Sequence, residues 1–247
     1  MQTYERVIAL DGAHNVRDLG GYATGAGGLT RWRSLLRGDA LHGLSAADIE
    51  ALVAQDVTTV IDLRNGHEIA LQPNRLEGDA RVVYANIPLF AALAPIDMGA
   101  ADAAGFDMGE RYCQALDSCQ PAIAEVLATI ARAPDGIALF HCTAGKDRTG
   151  LIAALILANA GVDDAVIIED YALTGSVSGP LLGQLRARAL TRGASAAFVD
   201  TVLASAPESM ARALHHLASR YGGAGSYMAQ IGMSRRDVRD LERRLAG

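Results

Sequence analysis

Apolar positions along the chain repeat with two different periods. Residues 57–63, Val-Thr-Thr-Val-Ile-Asp-Leu, form a β-branched run bounded by polar residues. Such a run suits a strand buried on both faces of a parallel sheet. Residues 136–140 read the same way, residues 31–37 alternate, and residues 81–87 make a further strand that stops at Pro88. Helical spacing takes over elsewhere. Ser45 is placed to cap a short amphipathic helix over 46–55. Residues 106–133 form a long helical stretch with a break near Cys119-Gln120-Pro121, because proline cannot continue the hydrogen-bond ladder. Residues 151–160 are almost wholly apolar and predict a buried helix. A helix over 162–173 follows, with Asp163 as its cap, and 174–180 is expected to break it. Two or three amphipathic helices fill 181–221, divided near Arg192-Gly193 and Ala206-Pro207. A short helix over 227–231 and a last one capped by Ser234 and running to Leu245 close the chain.

Strands followed by helices in this order imply an α/β fold, with a central, mostly parallel sheet flanked by helices. No repeat or linker divides the chain, so residues 1–247 are read as one domain. Residues 10–22 predict an irregular N-terminal segment. In it, Asn15, Arg17 and Asp18 serve either a turn network or, for Arg17 and Asp18, an active-site rim. Residues 24–30 are Gly-rich but lack the Gly-Lys-Ser/Thr ending of a nucleotide P-loop, and a hairpin turn is the better reading. Residues 89–105 lack periodicity; Asp97, Asp102 and Asp107 lie in or beside them.

Composition narrows the function classes. Half of the 247 residues are hydrophobic, enough for a sizeable core, and the net charge is −6 without a long basic run. That balance argues against nucleic-acid binding, which needs clustered Lys and Arg. Cys113, Cys119 and Cys142 have no disulfide spacing, which fits a reducing compartment. Cys113 and Cys119 are read as helix packing residues, with a disulfide or a partner for Cys142 as the alternative. The first ten residues carry charges and no signal core, and no apolar run reaches the length of a membrane span. The expected location is the cytoplasm, or outside the cell by a route without a signal peptide.

The chemistry concentrates in residues 140–150, Phe-His-Cys-Thr-Ala-Gly-Lys-Asp-Arg-Thr-Gly, set between the strand of 136–140 and the helix of 151–160. A loop that turns from a strand into a helix N-terminus aims backbone N–H groups at one centre and binds anions. Arg148, six positions after Cys142, adds a planar fork of donors suited to phosphate. The same positive surroundings favour the thiolate of Cys142, the reactive form of a cysteine. Nucleophile and anion cradle thus share one loop. Asp62, at the carboxyl end of a strand where open α/β sheets place ligands, is either a catalytic acid or a loop anchor. Arg64 and Glu68 are expected to form an ion pair, and His67 to lie on the surface.

His141-Cys142-Thr143-Ala144-Gly145-Lys146-Asp147-Arg148-Thr149-Gly150 resembles the signature of cysteine-dependent protein tyrosine phosphatases. Its Lys-Asp-Arg ending is similar to that of the bacterial tyrosine phosphatase-like family. Residues 15–22, Asp62-Leu63-Arg64 and Tyr227-Met228 with Gly232 resemble that family too, so the likeness spans most of the chain. It implies hydrolysis of phosphate monoesters through a phosphocysteine on Cys142, without metal or cofactor. Thr143, Ala144, Gly145, Lys146, Asp147 and Arg148 then bind phosphate. The implied substrate is phosphotyrosine protein, with phosphoserine, phosphothreonine and phosphoinositides as further candidates. The resemblance makes Asp147 the general acid, and the lack of a Trp-Pro-Asp loop, Trp32 being the single tryptophan, supports it. Asp62 is the next candidate, and an ion pair of Asp147 with Lys146 or Arg148 is the structural alternative. His141 is expected to fix the loop and favour the thiolate. Thr149 is expected to donate a hydrogen bond to the departing thiolate. Lys146 either binds a further phosphate at the mouth or is solvated. Residues 174–225 correspond to a helical lid. A rhodanese-like sulfurtransferase and a non-catalytic phosphate-binding module are the competing readings.

Overall fold

In the computed structural model of the protein, residues 4–93, 96 and 105–246 are described. Among the described residues, five strands form one sheet: β1 (Arg17–Asp18), β2 (Leu35–Gly38), β3 (Val57–Asp62), β4 (Val83–Asn86) and β5 (Ile137–His141). Their order is β1-β2-β5-β3-β4, with β1 antiparallel to β2 and every other pairing parallel. The expected α/β architecture is therefore present. The register places Gly38 and Asp62 opposite His141, and Asn86 opposite Asp62. The carboxyl ends of four strands thus form one row, the position where open α/β sheets carry ligands.

Alternate strand residues feed two cores, as the two-residue period of a strand requires. Leu35, Ile61, Ala138 and Phe140 join the larger core, packed under α3 (Met108–Ser118), α4 (Gln120–Arg132), α5 (Asp147–Asn159) and α11 (Arg235–Ala246). Leu36, Val60, Ile137 and Leu139 join the smaller one with Leu52 of α1 (Ala46–Ala54). Strand β5 lies between β2 and β3 and is buried along its length, so the loop after it leaves from the middle of the molecule.

Local signals act where the sequence placed them. The Ser45 hydroxyl accepts a hydrogen bond from the Asp48 amide, and the Asp48 carboxylate accepts one from the Ser45 amide, a capping box. Asp163 caps α6 (Asp164–Val177), and the Ser234 hydroxyl accepts from the Asp237 amide at the start of α11. The helical stretch of 106–133 divides at Cys119, with Pro121 in the first turn of α4. The predicted break over 174–180 shrinks to a single residue: α6 runs to Val177, Ser178 follows, and α7 (Gly179–Thr191) begins with Pro180 in its first turn. Proline needs no amide partner there, so it starts a helix as readily as it ends one. The remaining helices are α2 (Gly66–Leu71), α8 (Ala196–Leu203), α9 (Pro207–Tyr221) and α10 (Ala224–Gln230).

The segment 174–225 is not uniform. Helix α7 has no buried residue, while α9 puts Met210, Ala213, Leu214 and Leu217 into the main core. Cys113 and Cys119 are buried with free thiols. Tyr227, in the closing motif, donates its hydroxyl to the Leu116 carbonyl at 2.8 Å and so ties α10 to α3. Among the described residues, no helix is long and apolar enough to cross a membrane.

Candidate active site

Residues 142–146 connect β5 to α5. Their four successive carbonyls all accept hydrogen bonds from groups outside the loop. Cys142 O faces His141 Nδ1 at 3.2 Å, Thr143 O accepts from the Ala40 amide at 3.2 Å, Ala144 O from Asn15 Nδ2 at 2.9 Å, and Gly145 O from an Arg37 Nη at 2.7 Å. A planar trans peptide points its N–H opposite its C=O. Carbonyls drawn outward therefore turn the amides of Thr143, Ala144, Gly145 and Lys146 towards the concave side, where an anion is held. Gly145 has φ +67°, and a Cβ there would meet the Gly38 carbonyl oxygen at 2.6 Å. Only glycine fits that close approach.

The donors behind the loop are themselves fixed. Asn15 receives a hydrogen bond on Oδ1 from Arg17, and its amide donates to Asp39 at 2.9 Å. Asp170 of α6 pairs with Arg17 and Arg37 and accepts from the Tyr22 hydroxyl at 2.9 Å. Burial works against the Asp170 charge, but the two guanidinium groups outweigh it and hold the carboxyl far below its usual range. Arg17 and Asp18 are fully buried, so the turn-network reading stands and the rim reading does not.

His141 is also fully buried. Asn74 Oδ1 accepts from the Leu76 amide at 2.9 Å, which leaves its Nδ2 facing His141 Nε2 at 2.8 Å. Nε2 is then the acceptor, and the ring proton sits on Nδ1, towards Cys142 O. Burial pushes the imidazole down to about 4. His141 is thus held against the loop as a ring that is neutral at neutral pH.

Asp62 is an anchor. Its carboxylate takes Arg64 Nε at 2.9 Å and Nη2 at 2.6 Å, the Arg64 amide at 3.0 Å and Tyr84 Oη at 3.2 Å, with no exposed surface. Burial pushes its carboxyl up, and the Arg64 hydrogen bonds together with the neighbouring charges bring it down to about 2. The expected Arg64–Glu68 pair does not form. Residues two apart at a strand end share a face, so Arg64 turns back to Asp62, and its Nη1 donates to Gln72 O at 2.9 Å, beside α2. Glu68 pairs with Arg148 instead, Nη1 to Oε2 at 2.6 Å and Nη2 to Oε1 at 2.7 Å, and it also accepts from the Thr143 hydroxyl. Burial opposes the Glu68 charge, but Arg148 lowers its carboxyl to about 2. Glu68 is a site residue that sequence reasoning placed with the wrong partner. The signal for its position was Asn65, whose side chain caps α2 by accepting from the Glu68 amide.

Cys142 lies at the base of the loop with 2% of its surface exposed. The Thr149 hydroxyl reaches the Gly38 carbonyl at 3.5 Å. Lys146 is neither solvated nor at an open mouth. It is 1% exposed, and its ammonium donates to Val202 O at 2.6 Å and Ala204 O at 2.8 Å, at the C-terminal end of α8. Asp147, the next residue, has its Oδ1 3.2 Å from Lys146 Nζ and 2.6 Å from the Tyr112 hydroxyl. A cleft of about 560 Å³ opens in front. Asp147, Arg148 and Glu68 contribute its polar floor, Phe90, Leu93, Ile96 and Met108 its apolar wall, and Arg111 part of its rim. Asp97 and Asp102 lie outside the described residues, and Asp107 caps α3 and pairs with Arg212.

A cysteine below a ring of inward amides, an arginine fork beside it and a cleft lined by Asp147 and Arg148 make this loop the candidate active site. The sequence pattern of the tyrosine phosphatase family matches residues 8–247, and the chain belongs to that family. It is 37% identical over 214 residues to a tyrosine-protein phosphatase of Nostoc commune, covering 83% of this chain and 71% of that protein. It is 29% identical to the triple specificity protein phosphatase PtpB of Mycobacterium tuberculosis, over 98% of this chain and 99% of the other. A slighter likeness, with a TM-score of 0.34 and 22% identity over 68% of this chain and 85% of the other, links it to the crystal structure of TpbA from P. aeruginosa. The activity that follows is that of a protein tyrosine phosphatase.

Proposed function

We propose that the protein hydrolyses phosphotyrosine by way of a phosphocysteine on Cys142. The observation that carries this reading is the set of four outward-tied carbonyls around Cys142. The Cys142 thiolate attacks phosphorus as the ester P–O bond breaks, and Asp147 gives its proton to the departing phenolic oxygen. A water then loses a proton to Asp147 and attacks phosphorus. The S–P bond breaks, releasing inorganic phosphate and restoring the thiolate. The loop amides and Arg148 stabilise charge on the equatorial oxygens in both steps. Asp147 fits the acid role because it lines the cleft beside Arg148, whereas Asp62 is sealed from it.

The apolar wall of Phe90, Leu93, Ile96 and Met108 suits an aromatic ring above the cradle. Phosphoserine, phosphothreonine and phosphoinositides are proposed as secondary substrates, in keeping with the triple specificity in the name of the M. tuberculosis relative. Helices α7 and α8 are proposed as the lid. Helix α7 has no buried residue, and Lys146 clasps the end of α8 from within the loop. A lysine ammonium at a helix C-terminus meets favourable carbonyl dipoles. Lifting α8 releases that charge to the mouth, where a second phosphate can meet it.

The test is phosphate release from phosphotyrosine, phosphoserine and phosphothreonine peptides and phosphoinositide vesicles. Turnover is expected on phosphotyrosine first, and Cys142→Ser retains phosphate binding while losing turnover. Thiosulfate turnover without phosphate release would instead establish sulfur transfer.

A further inference from the structure

Two buried tyrosines outside the signature loop meet at Asp147. Tyr112 of α3 has no exposed surface and Tyr171 of α6 has 1%. The Tyr112 hydroxyl lies 2.6 Å from Asp147 Oδ1 and 2.8 Å from the Tyr171 hydroxyl. Their rings pack edge to face, with centroids 6.0 Å apart at 84°. Each tyrosine has one hydroxyl proton. If Tyr112 spends its proton on the carboxylate, the contact between the two hydroxyls is satisfied only by donation from Tyr171. The chain of donation therefore runs Tyr171 to Tyr112 to Asp147 Oδ1. Lys146 Nζ, 3.2 Å away, approaches the same oxygen.

We infer that Tyr112, backed by Tyr171, is a positioning residue for Asp147: it holds Oδ1 as an acceptor and so confines the transferable proton to Oδ2. This rests on the acid role proposed for Asp147. A carboxyl group that receives donors on one oxygen carries its own proton on the other. Oδ2 is then the atom that protonates the leaving oxygen in the first step and takes the proton of water in the second. The tyrosines are suited to this duty because burial disfavours their ionised forms and the nearby Asp147 charge adds to it. Both hydroxyls are thereby held above their usual range and remain donors throughout the neutral region. Because Tyr112 comes from α3 and Tyr171 from α6, two core helices set the direction of a side chain at the start of α5.

The experiment compares aryl phosphates with good and poor leaving groups, p-nitrophenyl phosphate and phenyl phosphate, on four proteins. These are the wild type, Tyr112→Phe, Asp147→Asn and the double variant, with Tyr171→Phe as a fifth. Tyr112→Phe keeps the ring and removes the donor. It is expected to lower kcat roughly tenfold on phenyl phosphate and less than about twofold on p-nitrophenyl phosphate, with KM unchanged, since protonation matters most for poor leaving groups. In the Asp147→Asn background the same change is expected to have no further effect, because it acts through Asp147. Tyr171→Phe is expected to show the same selectivity more weakly, and it carries the test if Tyr112→Phe fails to fold. Equal losses on both substrates, or a full additional loss in the double variant, overturn the positioning role. If Asp147→Asn itself shows no leaving-group dependence, the acid assignment fails instead. If Asp147→Asn shows it and neither tyrosine variant does, the positioning role alone fails.

Discussion

The back and the front of the phosphate loop are built on opposite principles. Behind it, Asn15, Arg17, Arg37, His141 and Asp170 are buried, and each is tied to the loop or to a neighbour that is. In front, α7 has no buried residue, and α8 meets the loop through the Lys146 ammonium while its Phe198 and Val202 pack into the main core. The back is a polar network in a low-dielectric interior, closely paired apart from the buried Arg37 Nε, and unpairing a further partner there is costly. Helix α7 can move at the expense of few buried contacts, whereas α8 must also withdraw Phe198 and Val202 from the core. In the proposed function the difference separates two duties: the rear network sets the geometry of the chemistry, and the front sets which phosphates reach it.

The largest effect belongs to the nucleophile that both regions serve. Cys142→Ser is expected to lower turnover by roughly 10⁴-fold or more, while a fluorescence titration still detects phosphate binding. Survival of even a tenth of wild-type turnover contradicts the reading. Breaking the back comes next. Asp170→Asn leaves Arg17 and Arg37 buried without a counter-charge and is expected to lose about 3–5 kcal/mol of stability, read by chemical denaturation. A loss below about 1 kcal/mol would show the network to be dispensable. At the side of the cradle, Glu68→Gln loosens the grip on Arg148 and is expected to lower kcat/KM by roughly 10-fold to 100-fold. An unchanged value would mean that Arg148 needs no such partner. The front gives the smallest change in turnover. Lys146→Met removes two charged hydrogen bonds, worth about 1.5–3 kcal/mol each. Amide exchange in α7 and α8 is expected to quicken while that of α5 stays slow; equal exchange in all three helices contradicts the lid.

Acid sharpens the comparison further. In the folded protein His141 stays neutral down to about 4 because burial disfavours its charge, whereas in the unfolded chain it takes its proton near 6.5. Between these values the unfolded state binds the extra proton, so stability falls as pH drops from 6.5 towards 4. At about 1.4 kcal/mol per pH unit the loss is about 3 kcal/mol. Asp62 acts lower. Its carboxyl is held at about 2, so its contribution is complete above the ordinary aspartate range near 3.9 and is lost as pH falls towards 2. Denaturation midpoints from pH 7.5 to 4.5 check the first window, and His141→Gln is expected to flatten the profile there. A wild-type profile already flat between pH 6.5 and 4 refutes the assignment.

What the sequence made legible follows the reach of its signals. The strands at residues 57–62 and 137–141, the helices capped by Ser45 and Ser234 and the nucleophile loop are local patterns, and each lies within a residue or two of its predicted place, while α6 overruns its predicted end by four residues. In the sequence Asp62 stands open between acid and anchor, because Arg64, two residues away, is assigned there to Glu68 instead of to Asp62. Glu68 with Arg148, Asn15 with Ala144, and Lys146 with Val202 join positions tens of residues apart, and no local spacing encodes them. Lys146 shows the cost of reading charge as exposure. A lysine in a polar loop looks solvated, yet the carbonyl end of α8 gives its ammonium a buried place. The neutrality of His141 likewise follows from burial by neighbours, which its sequence position beside Cys142 does not reveal.

The ties behind the loop also bear on when the enzyme becomes active as it is made. Asn15 reaches Ala144 across 129 positions, and Arg17 reaches Asp170 across 153. Contacts between such distant positions form late, because the loop between them must first be closed. A chain still emerging from the ribosome already carries its cysteine before it carries Asp170. Such a chain holds the nucleophile without the frame that shapes its cradle. Recovery of turnover during refolding should therefore lag behind recovery of helical signal, and the activity of this fold serves as a report on its completion.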